Sequence, residues 1–122
     1  MKFKNFTILY VEDEKIIRSN VEKCLKFLFN VLVAEDGEEG LKLFNSNKVD
    51  LIITDIYMPE KDGISMISEI KESNPQIPCI ITSAHEPKIP KEASFLESCR
   101  YISKPFDIKE LLNDSLKALD IV

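Results

Sequence analysis

The sequence predicts a doubly wound α/β domain, a five-stranded parallel sheet with helices on both faces. Three observations predict it. Short apolar runs alternate five times with segments of helical periodicity. Those runs are near-continuously apolar rather than alternating, as strands covered on both faces must be. The chain has 122 residues, the size of one domain with a real core.

Each element follows in order. Residues 6–11 (FTILYV) form the first strand. Ile17, Val21, Cys24, Leu25 and Leu28 then recur at helical spacing and predict an amphipathic helix over 14–29. Residues 31–34 (VLVA) are a second short strand, and 37–47 a helix that turns Leu41 and Phe44 inward. Residues 50–54 are the third strand. It stops at Asp55, and Met58-Pro59 cannot continue a central strand. Ile64, Ile67 and Ile70 mark a third helix that ends before Asn74-Pro75. Residues 78–82 (PCIIT) and 101–103 (YIS) are strands four and five. Between them Pro87 and Pro90 leave room only for a short fourth helix over 91–99, with Pro90 at its first position. Residues 106–119 form the last helix, with Ile108, Leu111, Leu112, Ser115 and Leu119 on one face and Pro105 at its entrance. The right-handed crossover rule leaves few topologies. The flavodoxin-like strand order 2-1-3-4-5 with five helices fits best.

Composition excludes several classes. The net charge is −5, from 21 acids against 16 bases, which argues against direct nucleic-acid contact. No apolar run approaches the ~20 residues needed to cross a bilayer. The opening MKFKNFTILYVEDE is basic and then apolar, but too short in its apolar part for a signal peptide. A cytoplasmic protein without membrane attachment is expected. Cys24, Cys79 and Cys99 form no CxxC pair, so three buried, reduced thiols are expected.

In a doubly wound sheet, chemistry collects at the carboxyl ends of the strands. Strand one ends in Glu12-Asp13, strand three in Asp55, strand four in Thr82-Ser83-Ala84, and strand five in Lys104-Pro105. Three carboxylates that converge disfavour one another's ionisation unless a cation intervenes. A hard divalent ion with oxygen ligands, magnesium above all, relieves this and leaves room for phosphate. A lysine ammonium and a serine hydroxyl suit phosphoryl oxygens. The set reads as a site where Asp55 attacks phosphorus. Singly, each residue has a plainer reading. Asp13 could cap the first helix, Glu12 could be a solvated loop acid, and Asp55 and Ser83 could be turn residues. Four strand ends carrying suitable chemistry together make the plain readings weaker.

The stretches VEDE, TDIYMPEKDG, ITSA and YISKPF resemble the receiver domain of two-component response regulators, over essentially residues 1–122. The resemblance implies a phosphorylation switch that is not itself a turnover enzyme. A sensor histidine kinase or phosphotransfer protein would pass a phosphoryl group to Asp55 with Mg2+, or Mn2+, present. Asp13 would bind the metal directly, Glu12 would assist, and the carbonyl of Tyr57 would be a further ligand. Ser83 and Lys104 would follow the phosphoryl group, and Tyr101 would be the switch aromatic. Pro105 would follow a cis peptide, and Gly63 would relieve backbone strain after strand three. The fourth helix, fifth strand and last helix would form the output face toward a downstream protein, an effector domain outside this chain, or a second copy as a homodimer.

The chain departs from the family at Glu97-Ser98-Cys99-Arg100, where Gly-Ala is usual, and at Pro87 and Pro90. Tyr57 and His85 add bulk at the site mouth, where they would tune the access of water to the phosphoryl group. Other classes fit less well. A haloacid-dehalogenase-like phosphatase wants a second acid where Tyr57 stands. The three glycines make no nucleotide-binding loop, and VEDE replaces the polar loop of a flavodoxin. A non-phosphorylated pseudo-receiver would lack some site residue, and none is missing.

Overall fold

The structure is a computed structural model that describes residues 3–84 and 98–121. Its elements are β1 (Phe3–Val11), α1 (Lys15–Lys26), β2 (Phe29–Ala34), α2 (Gly37–Ser46), β3 (Leu51–Asp55), α3 (Gly63–Ser73), β4 (Cys79–Ser83), β5 (Arg100–Ser103) and α4 (Ile108–Ala118). All strand pairs are parallel, and the sheet runs β2-β1-β3-β4-β5. The expected topology is therefore present. The expected short helix over 91–99 lies outside the described residues, apart from its end. Ser98 and Cys99 there lead directly into β5. α4 is thus the predicted last helix.

The central strands are the most apolar and the most buried. Every residue of β3 and β4 is buried, whereas the edge strand β5 buries only Ile102. Pleating divides the core in two. Leu9, Val11, Ile52 and Ile81 face α2 and α3, packing on Ile67 and Ile70. Ile8, Tyr10, Ile53 and Ile80 face α1 and α4, packing on Val21, Leu25 and Leu111. Each buried isoleucine contributes roughly 1.5–3 kcal/mol, and this burial anchors the strand that ends in Asp55.

Element ends differ from expectation for physical reasons. α1 stops at Lys26 rather than 29, because Phe29 is wholly buried as the first residue of β2 and stacks on Phe3. β1 begins at Phe3, three residues before the apolar run. Phe3 pairs with Phe29 and Thr7 with Asn30, so residues 4–6 bulge out of the ladder. Asp50 stands outside β3, where its carboxylate accepts from the Thr7 amide at 2.8 Å. α4 starts at Ile108 with Asp107 as its cap, accepting from the Lys109 amide, so Pro105 is not in the first turn.

The cysteines correct the expectation of three reduced, buried thiols. Cys79 and Cys99 are joined by a disulfide across β4 and the start of β5, and Cys24 is exposed on α1. The register pairs Ile80 with Arg100, so the residues just before them face each other. Cys79 and Cys99 are both buried in the α2–α3 side of the core.

Candidate phosphoacceptor site

The carboxyl ends of β1, β3 and β5 bring four predicted residues together. Ligand oxygens of Glu12, Asp13 and Asp55 all lie within 4.8 Å of one another. Lys104 Nζ bridges two of them, at 2.6 Å from Glu12 Oε1 and 2.9 Å from Asp55 Oδ2. The backbone of each strand end is itself fixed. The Glu12 amide donates to the Ala34 carbonyl, the Ile56 amide to Asp55 Oδ1 at 2.7 Å, and the Lys104 amide to the Ser83 carbonyl at 2.8 Å.

The plain reading of Glu12 as a solvated acid fails, since the residue is 0% exposed. Burial raises its pKa above the ordinary glutamate value, and Asp55 adds to this. The hydrogen bonds from Lys104 and the Glu14 amide oppose it. Burial also works against the Lys104 ammonium, but its hydrogen bonds to Glu12 and Asp55 outweigh that and raise its pKa. The plain reading of Asp13 fails as well. The cap of α1 is Glu14, whose own side chain makes no capping hydrogen bond, so Asp13 is not the cap. Among the described residues, the Asp13 carboxylate accepts no hydrogen bond, and it stays exposed beside two buried acids.

Ser83 is buried at the end of β4, in register with Ser103. Tyr101 is in register with Ile81 and lies on the Ser83 face of the sheet, one pleat below it. It is 40% exposed. Tyr57 is exposed on the loop after Asp55. His85 lies outside the described residues. The Lys104–Pro105 peptide is cis, as the resemblance implies.

Gly63 is needed for a reason other than the one expected. Its φ is not positive; the left-handed residue of this loop is Glu60, at φ 66°. A β-carbon on Gly63 would instead meet the Asp55 carbonyl. Sequence reasoning also missed Arg18 on α1, whose guanidinium donates to the Glu12 carbonyl at 2.9 Å. An arginine near a helix start reads from sequence as ordinary surface, so no local signal marked it. Two buried hydroxyls near the acids, Tyr10 Oη and Thr82 Oγ1, have no hydrogen-bond partner among the described residues. Tyr10 is raised well above the ordinary tyrosine value by burial, then by Glu12 and Asp55.

The donor set fits a hard divalent cation: three oxygen donors converge and one of them, on Asp13, is otherwise unused. The parallel sheet in 2-1-3-4-5 order, with an acid cluster and a lysine at its carboxyl edge, defines a receiver-type phosphorylation domain. Residues 8–115 match the response regulator receiver domain family, and the chain belongs to it. It is 41% identical over 107 residues to Histidine kinase P4 of Formosa agariphila, covering 85% of this chain and 8% of that protein. It superposes on the receiver domain of the Francisella response regulator 1452 with TM-score 0.83 and 31% identity, covering 95% and 98% of the two chains. It also resembles a chain of the CheX–CheY–BeF3–Mg2+ complex from Borrelia burgdorferi, with TM-score 0.81 and 26% identity, covering 92% and 87%. The chain spans less than half the length of several curated relatives it matches, such as the probable transcriptional regulator ycf27 of Cyanidium caldarium, at 42%. Among the described residues, no helix is long and apolar enough to cross a membrane.

Proposed function

We propose that Asp55 is the phosphoacceptor of this receiver and that residues 1–122 act as one phosphorylation switch rather than as a turnover enzyme. The observation that carries this is the position of the Asp55 carboxylate. It ends the fully buried central strand, is bonded by Lys104 at 2.9 Å, and lies within 4.8 Å of Glu12 and Asp13. Donors are a phosphohistidine on a sensor histidine kinase or a phosphotransfer protein. An Asp55 oxygen forms the new O–P bond while the N–P bond to the histidine breaks, and the imidazole leaves with the bonding pair. Glu12, Asp13, Asp55 and the Tyr57 carbonyl would hold Mg2+, or Mn2+. The bound ion screens the charge between the carboxylates and the phosphoryl oxygens. The Mg2+ named with the Borrelia relative supports that choice.

Lys104, now shared by Glu12 and Asp55, pairs with a phosphoryl oxygen, and the Ser83 hydroxyl meets another. Tyr101 then turns inward to fill the space that Ser83 leaves. The group adds a charge of roughly −1.5 to −2. It can move the switch from 1:99 to 99:1 only by favouring one state by about 5.5 kcal/mol. The output face, on β5 and the last helix, serves a downstream protein, an effector domain or a second copy. The setting is cytoplasmic.

Intact mass after incubation with Mg2+ and a small-molecule phosphodonor tests the assignment. The expected result is a gain of one phosphoryl group, absent in chelator and in Asp55→Asn. A gain retained in the variant would give the role to another residue. No gain with donor or with a phosphorylated kinase would leave a non-phosphorylated interaction module.

A further inference from the structure

Arg18 sits one helical turn into α1, outside the acid cluster, and its side chain is only 14% exposed. Nη1 donates to the carbonyl of Glu12 at 2.9 Å and reaches that of Asp13 at 3.4 Å. Nη2 is held from the far side by Glu35, just beyond β2, at 3.4 Å. The guanidinium therefore spans two successive peptides, the two that carry the paired acids, and ties them to the end of the neighbouring strand. Glu12 has other restraints, from Lys104 and the Glu14 amide. The Asp13 carboxylate has none among the described residues, so its position depends on the backbone that Arg18 grips.

We infer that Arg18 is a positioning residue for the divalent-cation site: it fixes the Glu12–Asp13 backbone so that the Asp13 carboxylate faces Asp55. This rests on the reading of Glu12 and Asp13 as metal acids. Only an arginine can do it, because a planar fork with several donors is needed to hold two carbonyls and a carboxylate together, and a lysine offers one point charge. The inference has a sign that separates it from simple electrostatics. A cation beside a divalent-ion site repels the ion, so deleting it on charge grounds alone would tighten binding. Deleting a positioning group weakens binding, typically by 10–100-fold for partners that orient metal ligands.

The test is a Mg2+ titration followed in 1H–15N spectra through the amides of Glu12, Asp13 and Glu14, which also report the fold. Arg18→Met and Arg18→Lys are each expected to weaken Mg2+ by about tenfold or more. The Mg2+ concentration for half-maximal phosphorylation should rise in parallel while the rate at saturating Mg2+ is largely kept. Should Arg18→Met fail to fold, Arg18→Lys carries the test, since it keeps the charge and loses only the fork. Unchanged or tighter Mg2+ binding in the folded variants would overturn the role of Arg18 alone. A wild type that binds no Mg2+ would overturn the metal reading and this inference with it.

Discussion

A β-carbon placed on Gly63 would stand 2.1 Å from the main-chain oxygen of Asp55. The first residue of α3 is pressed against the last residue of β3, and the Gly63 amide seals the approach by donating to the Ile56 carbonyl at 2.8 Å. The loop between them must therefore close without a side chain at this position.

Gly63→Ala should be costly, since the atom it meets is backbone and cannot swing aside. A loss of about 3 kcal/mol is expected in urea unfolding, at the upper end for overpacking. Gly40→Ala is the control. Its β-carbon would meet the Met66 thioether and, at 3.1 Å, a Val11 methyl, side-chain atoms rather than backbone, and alanine also favours the helix interior. A change within about 1 kcal/mol is expected there. Equal costs at both positions would refute the role given to the Gly63 contact.

Lys104→Met removes the ammonium that bridges Glu12 and Asp55. With Glu12 wholly buried, the variant should lose about 3 kcal/mol in chelator, as when one partner of a buried pair is deleted. Added Mg2+ should restore part of that stability by screening the same carboxylates. Thermal melting with and without Mg2+ reads both effects. A variant as stable as wild type in chelator would contradict the bridging role.

Glu12 should leave a signature in the pH dependence of stability. Its folded pKa is raised above the ordinary 4.5, so the folded chain holds this proton more tightly than the unfolded chain. The stability it contributes is fully present below pH 4.5 and is lost as pH rises through the raised folded value. Other carboxylates titrate in the same range, so the quantity to measure is wild type minus Glu12→Gln, in chelator. That difference should fall as pH rises above 4.5. A flat difference would mean that burial does not govern Glu12.

The cysteines give a covalent test. Alkylation of the denatured, unreduced chain should label one thiol of the three, Cys24, and all three after reduction. The disulfide closes a loop with a sequence separation of 20, which corresponds to about 3 kcal/mol of stabilisation in a chain-entropy account. Reductant or Cys79→Ser should lower the urea midpoint accordingly. Three labelled thiols without reduction would show that the pair is not oxidised.

Much of this protein is decided locally and is legible in the sequence. Apolar runs such as LIIT and CIIT form strands because their side chains must leave water on both faces, and helical spacing does the same for the segments between. With strand order 2-1-3-4-5, it follows that Glu12, Asp13, Asp55, Ser83 and Lys104 share one edge, because each directly follows or ends its strand. What the tertiary structure alone decided depends on contacts between residues far apart in the chain. Glu12 is buried rather than solvated because Lys104, 92 residues away, closes over it. Cys79 meets Cys99 because the β4–β5 register places them opposite each other. Arg18 serves the acid pair because α1 packs back over the end of β1, with Glu35 of the next strand's end at its other side. Gly63 is required by the closeness of Asp55 rather than by its own dihedral angle. Periodicity reports which way a side chain faces, while register and packing distance report what it meets there.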